Sequence, residues 1–491
     1  MVQDQQLDLT SSCTLTLQGQ IREMLINAIL AGRLRAGDPV PSTRAMAAKL
    51  KVSRNTVAFA YQVMVTGGFL TSKDRSGYYV TDSVMQDAAA QPVRVASTAA
   101  LDHTRPDWDK KIASRLAPIR TIARPIDWHR YLYPFVYGQL DLSLFPIVPW
   151  RDCVRQAMSK KWFNAWTDDL YLADDPLLIE QIRTKVLARR GIFARPEEIL
   201  ITLGAQNAIF LLASALLRPG SLVAMEDPGY YAARDIFAMV GARIRSVPVD
   251  RDGLDPARLG SAELVFTTPS HQFPTNATLS LERRHHLLAW AEQSDGLIIE
   301  DDYEAEIDFS GDATMPMKAL DRSSRVIYVG SFSKSLMPGL RLGFTVADSS
   351  LISELRRRRG LMMRHPPSNN QRAVALFLAL GHHDSYLSRM KRIYAKRWHA
   401  LSTALETDLP GWKRQTKFGG SSFWLEGPLG FSASRLAQEA LAVGVVVEPG
   451  KALFHDDQSN DRFFRMGFSS IAEERIRPGI QCLRNVVAAH A

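Results

Sequence analysis

The sequence predicts an α/β protein with at least two domains, and three observations support that prediction. The chain has 491 residues, which is more than one ordinary hydrophobic core accommodates. Residues 15–81 show apolar side chains at helical spacing, followed by a short hairpin pattern. From about residue 131 onward, short apolar segments alternate with longer helical patterns, which is typical of a largely parallel sheet covered by helices.

Composition and cysteine spacing exclude several classes of protein. Hydrophobic residues make up 46% and charged residues 23%, the profile of a soluble globular protein. The polar first ten residues do not look like a secretory signal, and the apolar segment 209–217 is too short to span a bilayer. Cys13, Cys153 and Cys482 show no metal or disulfide spacing. We expect a cytoplasmic protein with reduced cysteines, no metal site and no membrane contact.

The N-terminal part is predicted to contain three helices and a two-stranded wing. Apolar side chains recur every three or four residues over 17–30. Ser42 and Ser53 stand where they would cap a second and a third helix. Two short strands, 69–71 and 77–80, follow and are joined by a polar turn. Tightly joined helices with such a wing form a winged helix-turn-helix.

This arrangement predicts binding to double-stranded DNA. The start of the third helix offers polar side chains and free backbone N–H groups to bases and phosphates, and Arg54 can address guanine through two hydrogen bonds. The wing tip suits a backbone or minor-groove contact. A solvated face of a protein-interaction module is the alternative, since the net charge of +9 permits DNA binding without establishing it. The predicted DNA-binding residues are Ser42, Arg44, Ser53, Arg54, Asn55, Thr56, Lys73 and Arg75.

The same segment closely resembles the GntR family of bacterial regulators. The matching motifs are Pro41-Ser42-Thr43-Arg44, Val52-Ser53-Arg54-Asn55-Thr56-Val57 and Gly67-Gly68-Phe69-Leu70. The resemblance covers nearly all of residues 15–81 and implies a DNA-binding domain over 1–82. Residues 83–129, which are rich in Ala and punctuated by Pro, are predicted to be a linker. The α/β domain is then expected over 130–491.

A lysine that follows a predicted strand suggests a cofactor site in the α/β domain. Lys334 comes just after the strand 326–329, so it points into the crevice where parallel sheets bind ligands. Ser331, Ser333 and Arg341 supply hydroxyls and a guanidinium, the groups that a phosphate needs. A solvated loop charge would be the usual interpretation of a lone lysine, but the surrounding donors favour a site.

Other strand ends add the remaining parts of such a site. Asp301 and Tyr303 follow a second strand, where a carboxylate can keep a pyridine nitrogen protonated; an acidic helix cap is the alternative. Tyr230 offers a ring to stack on a pyridine. Arg465 lies inside an apolar strand and needs an anionic partner, either an incoming carboxylate or a structural salt bridge. Backbone N–H groups at a helix start can cradle phosphate, namely those of Gly204, Ala205 and Gln206.

Together these segments resemble the fold-type I aminotransferases, and the whole chain resembles the MocR/GabR group of pyridoxal-phosphate (PLP)-dependent regulators. The resemblance implies that Lys334 forms a Schiff base with PLP, that Asp301 meets the pyridine nitrogen and that Tyr303 meets the phenolic oxygen. It implies phosphate binding by Ser331, Ser333 and Arg341, stacking by Tyr230 and carboxylate anchoring by Arg465. It also implies a homodimer in which Tyr171 reaches the neighbouring subunit's phosphate. The chain departs from the group's pattern directly after Tyr171, where it reads Leu172-Ala173-Asp174-Asp175-Pro176-Leu177.

Two functional hypotheses follow from the sequence. In the first, the protein is a regulator in which an amine or amino-acid effector is sensed at Lys334 and changes the grip on DNA. In the second, it is a working PLP-dependent aminotransferase whose N-terminal unit is secondary. The DNA-reading helix and the long linker favour regulation, because catalysis needs neither. The four arginines at 356–359 are expected to form a mostly solvated face.

Overall fold

The computed structural model describes residues 15–73, 77–82, 106–112, 120–169, 172–309, 314–415, 418–456 and 460–489. The chain divides into two compact units, Met1–Arg115 and Leu116–Ala491. The described residues 120–129, which the sequence assigns to the linker, therefore belong to the second unit. The domain limits at 82 and 130 remain predictions.

The first unit is a winged helix-turn-helix, as the sequence predicts. The helices of the winged helix-turn-helix are Leu17–Leu30, Thr43–Leu50 and Arg54–Thr66, and a short helix, Trp108–Lys111, follows near the end of the unit. Ser42 and Ser53 cap the second and third helices by accepting from the backbone N–H of Ala45 and Thr56 at 3.2 and 3.1 Å. The wing has one strand more than expected, because Pro39 does not need a backbone donor at a sheet edge. The strands, in the antiparallel order β1-β3-β2, are β1 Pro39–Val40, β2 Leu70–Lys73 and β3 Gly77–Val80.

The second unit is built on an eight-stranded sheet with a parallel centre, as predicted. Its strands are β5 Ile199–Thr202, β6 Leu222–Asp227, β7 Arg243–Asp250, β8 Gly253–Leu254, β9 Leu264–Thr267, β10 Leu297–Asp301, β11 Val326–Ser331 and β12 Gly343–Val346. They lie in the order β5-β12-β11-β10-β9-β6-β7-β8. Two smaller sheets complete it, with strands β4 Tyr133–Pro134, β13 Lys413–Gln415, β14 Ser422–Glu426, β15 Val445–Val446, β16 Glu448–Pro449 and β17 Phe463–Gly467.

Helices bury both faces of the large sheet. The adjacent residues Ile298 and Ile299 of β10 belong to different hydrophobic clusters, since successive side chains of a strand point to opposite faces. The α-helices of this unit are Ile147–Ala157, Phe163–Thr167, Pro176–Gln181, Ala205–Leu216, Tyr231–Met239, Leu281–Gln293, Met317–Leu320, Ser349–Met363, Ser368–Ala379, His382–Asp408, Ala433–Ala442 and Glu473–Ala488. Both faces being covered explains the near-continuous apolar strands of the sequence.

The expectation of a solvated face at 356–359 is wrong for two of the four arginines. Arg359 is fully buried and donates to Asp174 Oδ1 at 2.5 Å, while Arg356 donates to Asp174 Oδ2 at 2.8 Å. Arg357 and Arg358 instead contact Glu354 on their own helix. Two arginines thus fasten the segment after residue 171, which is where the sequence departs from its family's pattern.

We predict that Arg359→Met destabilises the second unit by about 3–5 kcal/mol, because it leaves the Asp174 carboxylate buried with one partner fewer. Urea unfolding followed by tryptophan fluorescence measures this, since eight of the nine tryptophans follow residue 115. The control is Arg357→Met on the same helix, whose exposed ion pair contributes about 0–1 kcal/mol. Equal effects of the two substitutions on the free energy of unfolding would contradict a stabilising buried ion pair between Arg359 and Asp174.

Candidate functional site

A cavity of about 450 Å³ lies at the edge of the large sheet where β6, β10 and β11 end. The carboxyl ends of parallel strands form this edge, which is the ligand-binding edge of such sheets. Ten of the sequence-predicted site residues line the cavity, namely Ala205, Gln206, Tyr230, Asp301, Tyr303, Ser331, Ser333, Lys334, Arg341 and Arg465. Gly204 lies directly before Ala205, and Tyr171 falls outside the described residues.

Lys334 is half-buried and closely surrounded on the cavity wall. Its Nζ lies 4.5 Å from the centroid of the Tyr137 ring. Gly138, at a φ of 69°, faces the same amine so closely that a Cβ there would collide with Nζ. Burial disfavours the ammonium form and lowers the pKa of Lys334 to about 8, although the charge of Glu304 opposes the shift. A larger fraction of neutral amine is therefore present near pH 8 than in an ordinary lysine.

Asp301 is the acidic residue of β10 that faces the cavity. Its neighbours point elsewhere and have their own partners: Glu300 accepts from the backbone N–H of Met317 and Lys318, each at 2.8 Å. Asp302 accepts from Arg190 at 2.7 Å and from the hydroxyl of Tyr328 at 3.0 Å. This alternation is the two-residue period of a strand.

The Asp301 carboxyl is poorly satisfied in the described part of the chain. It is 4% exposed, and its Oδ1 is buried without a hydrogen-bond partner among the described residues. Burial, followed by the charges of Asp302 and Glu226, raises the pKa of Asp301 to about 8. A cationic or N–H-bearing group in the cavity would relieve both conditions. A protonated pyridine nitrogen has that chemistry, so the residues present fit the cofactor expected from the sequence.

Anion-binding groups lie at one end of the cavity. Gly204, at a φ of 80°, is the N-cap of the helix Ala205–Leu216, and Ala205 and Gln206 of the first turn line the cavity. The N–H groups of a first turn have no partner within their helix, so they are available to an anion. The guanidinium of Arg341 donates to the Leu203 carbonyl at 3.1 Å and packs 3.5 Å from where a Cβ of residue 204 would stand. The Ser331 hydroxyl accepts from the backbone N–H of Ser333 at 3.2 Å. Backbone donors, hydroxyls and a guanidinium together suit a phosphate.

Aromatic side chains form another wall. The rings of Tyr230 and Tyr303 both meet Phe273 edge-on, with centroids 5.5 and 6.1 Å apart. The hydroxyl of Tyr303 donates to the carbonyl oxygen of His271 at 2.8 Å. Burial raises the pKa of both tyrosines, so both remain protonated donors at neutral pH.

Arg465 has features of both roles that the sequence left open, a structural salt bridge and an anchor for an incoming carboxylate. It lies in β17 opposite Glu448 of β16, and its Nε and Nη2 donate to Glu448 Oε2 at 3.2 and 3.1 Å. Both side chains are 2% exposed. Arg465 Nη1, by contrast, is buried with no hydrogen-bond partner among the described residues. The guanidinium also packs 3.7 Å from the centroid of the Tyr137 ring.

The site residues that sequence reasoning missed include Tyr137, Gly138, Glu448 and Arg124. Glu448 could have been found by the signal that identified Arg465, because it is also a lone charge within an apolar segment. Tyr137 and Gly138 gave no comparable signal, since a tyrosine and a glycine after a short strand are ordinary. Arg124 stood in the predicted linker, where no site was sought.

In the first unit, the described residues predicted to contact DNA stand at the starts of the second and third helices and on the wing strand Leu70–Lys73. Arg44, Arg54, Asn55 and Lys73 are exposed. The exposed Ser42 and Ser53 act as caps, and the half-buried Thr56 lies 2.7 Å from the Ser53 hydroxyl, so these three hydroxyls are partly engaged within the unit. Arg75 falls outside the described residues.

The described residues hold no grouping of three or more side chains that could bind a metal ion. None of their helices combines the length and apolar character required to cross a bilayer.

Two family models match the chain. Residues 17–80 match the model described as bacterial regulatory proteins, gntR family. Residues 169–483 match aminotransferase class I and II. The second match covers more than half of the chain, and members of this fold family are PLP-dependent.

Curated relatives share both parts. The HTH-type transcriptional regulator TauR of Rhodobacter capsulatus is 45% identical over 95% of each chain. The probable rhizopine catabolism regulatory protein MocR of Rhizobium meliloti is 31% identical over 96% of this chain and 93% of its own.

Solved aminotransferases share the fold of the second unit. An archaeal alanine:glyoxylate aminotransferase is 27% identical with a TM-score of 0.68, covering 78% of this chain and 93% of its own. The alpha-aminoadipate aminotransferase LysN of Thermus thermophilus, solved with N-(5'-phosphopyridoxyl)-L-leucine, gives the same identity and TM-score over 78% of this chain and 99% of its own.

We predict that Lys334 reacts with a trace of acetic anhydride in the cofactor-free protein with a pH midpoint near 8. At pH 8 about half of its amine is neutral, against under about 1% for a lysine of pKa about 10.4. Peptide mapping by mass spectrometry gives the midpoint, and the same protein in urea should return the ordinary value. A native midpoint above about 10 would contradict the buried setting of this amine.

Proposed function

The chain belongs to the MocR/GabR group of GntR-family transcriptional regulators, and we propose that it is a PLP-dependent, DNA-binding member that senses an amine or amino acid at Lys334. The observation that carries the proposal is the pairing of two groups in one cavity. Lys334 presents an amine of lowered pKa, and Asp301 presents a buried carboxyl whose Oδ1 has no hydrogen-bond partner in the described part of the chain. A solvated loop lysine and an acidic helix cap would require neither feature.

Each remaining wall of the cavity suits one part of the cofactor. We assign the phosphate to Ser331, Ser333, Arg341 and the start of the helix Ala205–Leu216, including Gly204, Ala205 and Gln206. We assign ring stacking to Tyr230 and the phenolic oxygen to the hydroxyl of Tyr303. The role of Tyr171 at a neighbouring subunit, and with it the homodimer, remains a proposal from the family resemblance.

The chemistry of sensing then rests on competition between two amines. PLP supplies an aldehyde that reacts reversibly with primary amines, so Lys334 and an incoming effector compete for it. The lowered pKa of Lys334 keeps part of this side chain neutral, which is the form of an amine that reacts with an aldehyde. Asp301 would hold a proton on the ring nitrogen of the cofactor, and Arg465 would offer its Nη1 to an acid group.

The regulatory output requires two conformations with different affinities for the effector, since equal binding to both would switch nothing. The DNA-reading helix Arg54–Thr66 supplies the output, with exposed Arg54 and Asn55 at its start.

Aminotransferase activity is the second candidate function. Solved aminotransferases share the fold at 27% identity, and the amine, the carboxyl and the anion-binding end that transamination uses line one cavity. The two functions differ in what the protein does to DNA.

We predict that Lys334→Ala abolishes the visible absorbance that PLP acquires on binding, because no amine remains to react. Asp301→Asn should weaken PLP binding by about 1.5–3 kcal/mol, or roughly 10- to 150-fold in Kd, through loss of a charged hydrogen bond. The matched control is Asp295→Asn, which removes a 91% exposed carboxylate. Unchanged absorbance of the unsubstituted protein on adding PLP would overturn the cofactor assignment.

We predict that Arg54→Ala weakens binding to the protein's own promoter DNA by about 1–3 kcal/mol, through loss of a base contact. Gel-shift titrations at fixed salt measure the change, with Arg251→Ala as the control for loss of one exposed positive charge. If the protein ignores that DNA with or without PLP, yet turns over an amino donor rapidly, the enzyme hypothesis replaces the regulator.

A further inference from the structure

The segment just before the aminotransferase-like fold forms part of the wall of the cavity. Thr121, Ile122 and Arg124 all line it. Arg120 anchors the segment by donating to the carbonyl oxygens of Phe454 and His455 at 3.1 and 2.9 Å. Thr121 and Arg124 also line a second groove of about 600 Å³. The segment is thus a thin wall with open space on both sides, and in sequence it ends the stretch that leads from the helix-turn-helix.

Arg124 belongs to a cluster of three charged side chains on the cavity wall, the other two being Arg465 and Glu448. Its Nη1 lies 3.4 Å from Glu448 Oε1, while Arg465 donates to Glu448 Oε2. Glu448 also accepts from the backbone N–H of Tyr137 at 3.3 Å. One carboxylate therefore lies between two guanidiniums, which leaves one net positive charge.

The unmet requirement of this cluster is a single anion. Arg465 is 2% exposed, and its Nη1 has no partner among the described residues. An unpaired buried N–H on a charged group is costly, and an acid group is the partner that satisfies both its charge and its hydrogen bond. A ligand end without an acceptor atom would leave Nη1 unsatisfied, a neutral acceptor would satisfy the hydrogen bond but not the charge, and an ammonium end would add a like charge.

We propose that Arg124, carried by the connecting segment, is a specificity-determining residue of the effector site that binds, together with Arg465, the acid group of an amino-acid effector. The inference rests on the proposed sensing at Lys334 and deepens it by naming a residue that selects among effectors. It also gives the connector a direct part in ligand binding, because the residue that meets the acid group belongs to the chain leading to the DNA-binding unit. A carboxylate and a sulfonate share the required chemistry.

The test uses the full-length protein loaded with PLP and a series of amines that differ only at the far end. 4-Aminobutanoate, n-butylamine and 1,4-diaminobutane end in an anion, a neutral methyl group and a cation. Half-saturating concentrations come from the shift in visible absorbance, and the series is repeated one methylene shorter and one longer. 3-Aminopropanesulfonate, set against 4-aminobutanoate, separates sulfonate from carboxylate effectors.

We expect the unsubstituted protein to prefer the acid-ended amine over the neutral one at one or more chain lengths. Arg124→Ala should reduce that preference by about tenfold or more, the scale of one charged hydrogen bond, while n-butylamine binds as before. Arg124→Lys should restore part of the preference because it keeps the charge. Arg130→Ala, an exposed arginine six residues further along, should leave the preference intact.

Two outcomes overturn the inference while leaving the proposed function standing: no preference for the acid end at any length, or a preference that Arg124→Ala leaves unchanged. A variant that loses affinity for acid and neutral amines alike would also overturn it, because the role would then be structural. Failure of PLP to bind, or of every amine to shift the spectrum, would instead overturn the proposed function.

Discussion

The site depends on the burial of an amine and a carboxyl at one edge of the sheet, where each lacks the solvent that would keep it charged. Desolvation lowers the pKa of Lys334 and raises that of Asp301, to about 8 in both cases. A fold gains no stability from a buried carboxyl whose Oδ1 has no hydrogen-bond partner among the described residues. A ligand that supplies the missing hydrogen bond would offset this cost. Groups with perturbed pKa values are common at functional sites for this reason. The parallel strands make the arrangement possible, because several of them end at the same edge.

The elements that local rules govern were predictable from the sequence. Caps at Ser42 and Ser53 and the apolar spacing of the first helix located the three helices of the winged helix-turn-helix, because capping and periodicity act over a few residues. Lys334 and Asp301 were identifiable because each follows a buried strand. The short strand Pro39–Val40 was not, since a two-residue edge strand is set by its partner in the sheet.

The residues that escaped prediction act through long-range contacts. Arg359 looked solvated in a run of four arginines, and only its approach to Asp174, distant in sequence, buries it. Glu448 and Arg124 meet across more than three hundred residues. Ion pairs between residues so far apart in sequence leave no periodic pattern. A single sequence therefore shows which residues are charged but not which of them pair. The alternation along β10 shows the same limit, because three successive acidic residues gave no indication of which one faces the cavity.

Glu448 explains how a pocket can hold two guanidiniums and still select a ligand. Without it, Arg124 and Arg465 would repel each other and attract any polyanion. With it, each guanidinium is partly neutralised, and the remaining charge matches one acid group. The same pairing places Arg124, and with it the connecting segment, on the cavity wall. In the proposed regulator, an acid group bound to Arg465 would weaken the contact between Arg465 and Glu448 and leave Glu448 freer to bind Arg124. This exchange would regulate the protein only if the acid group bound two conformations with different affinity.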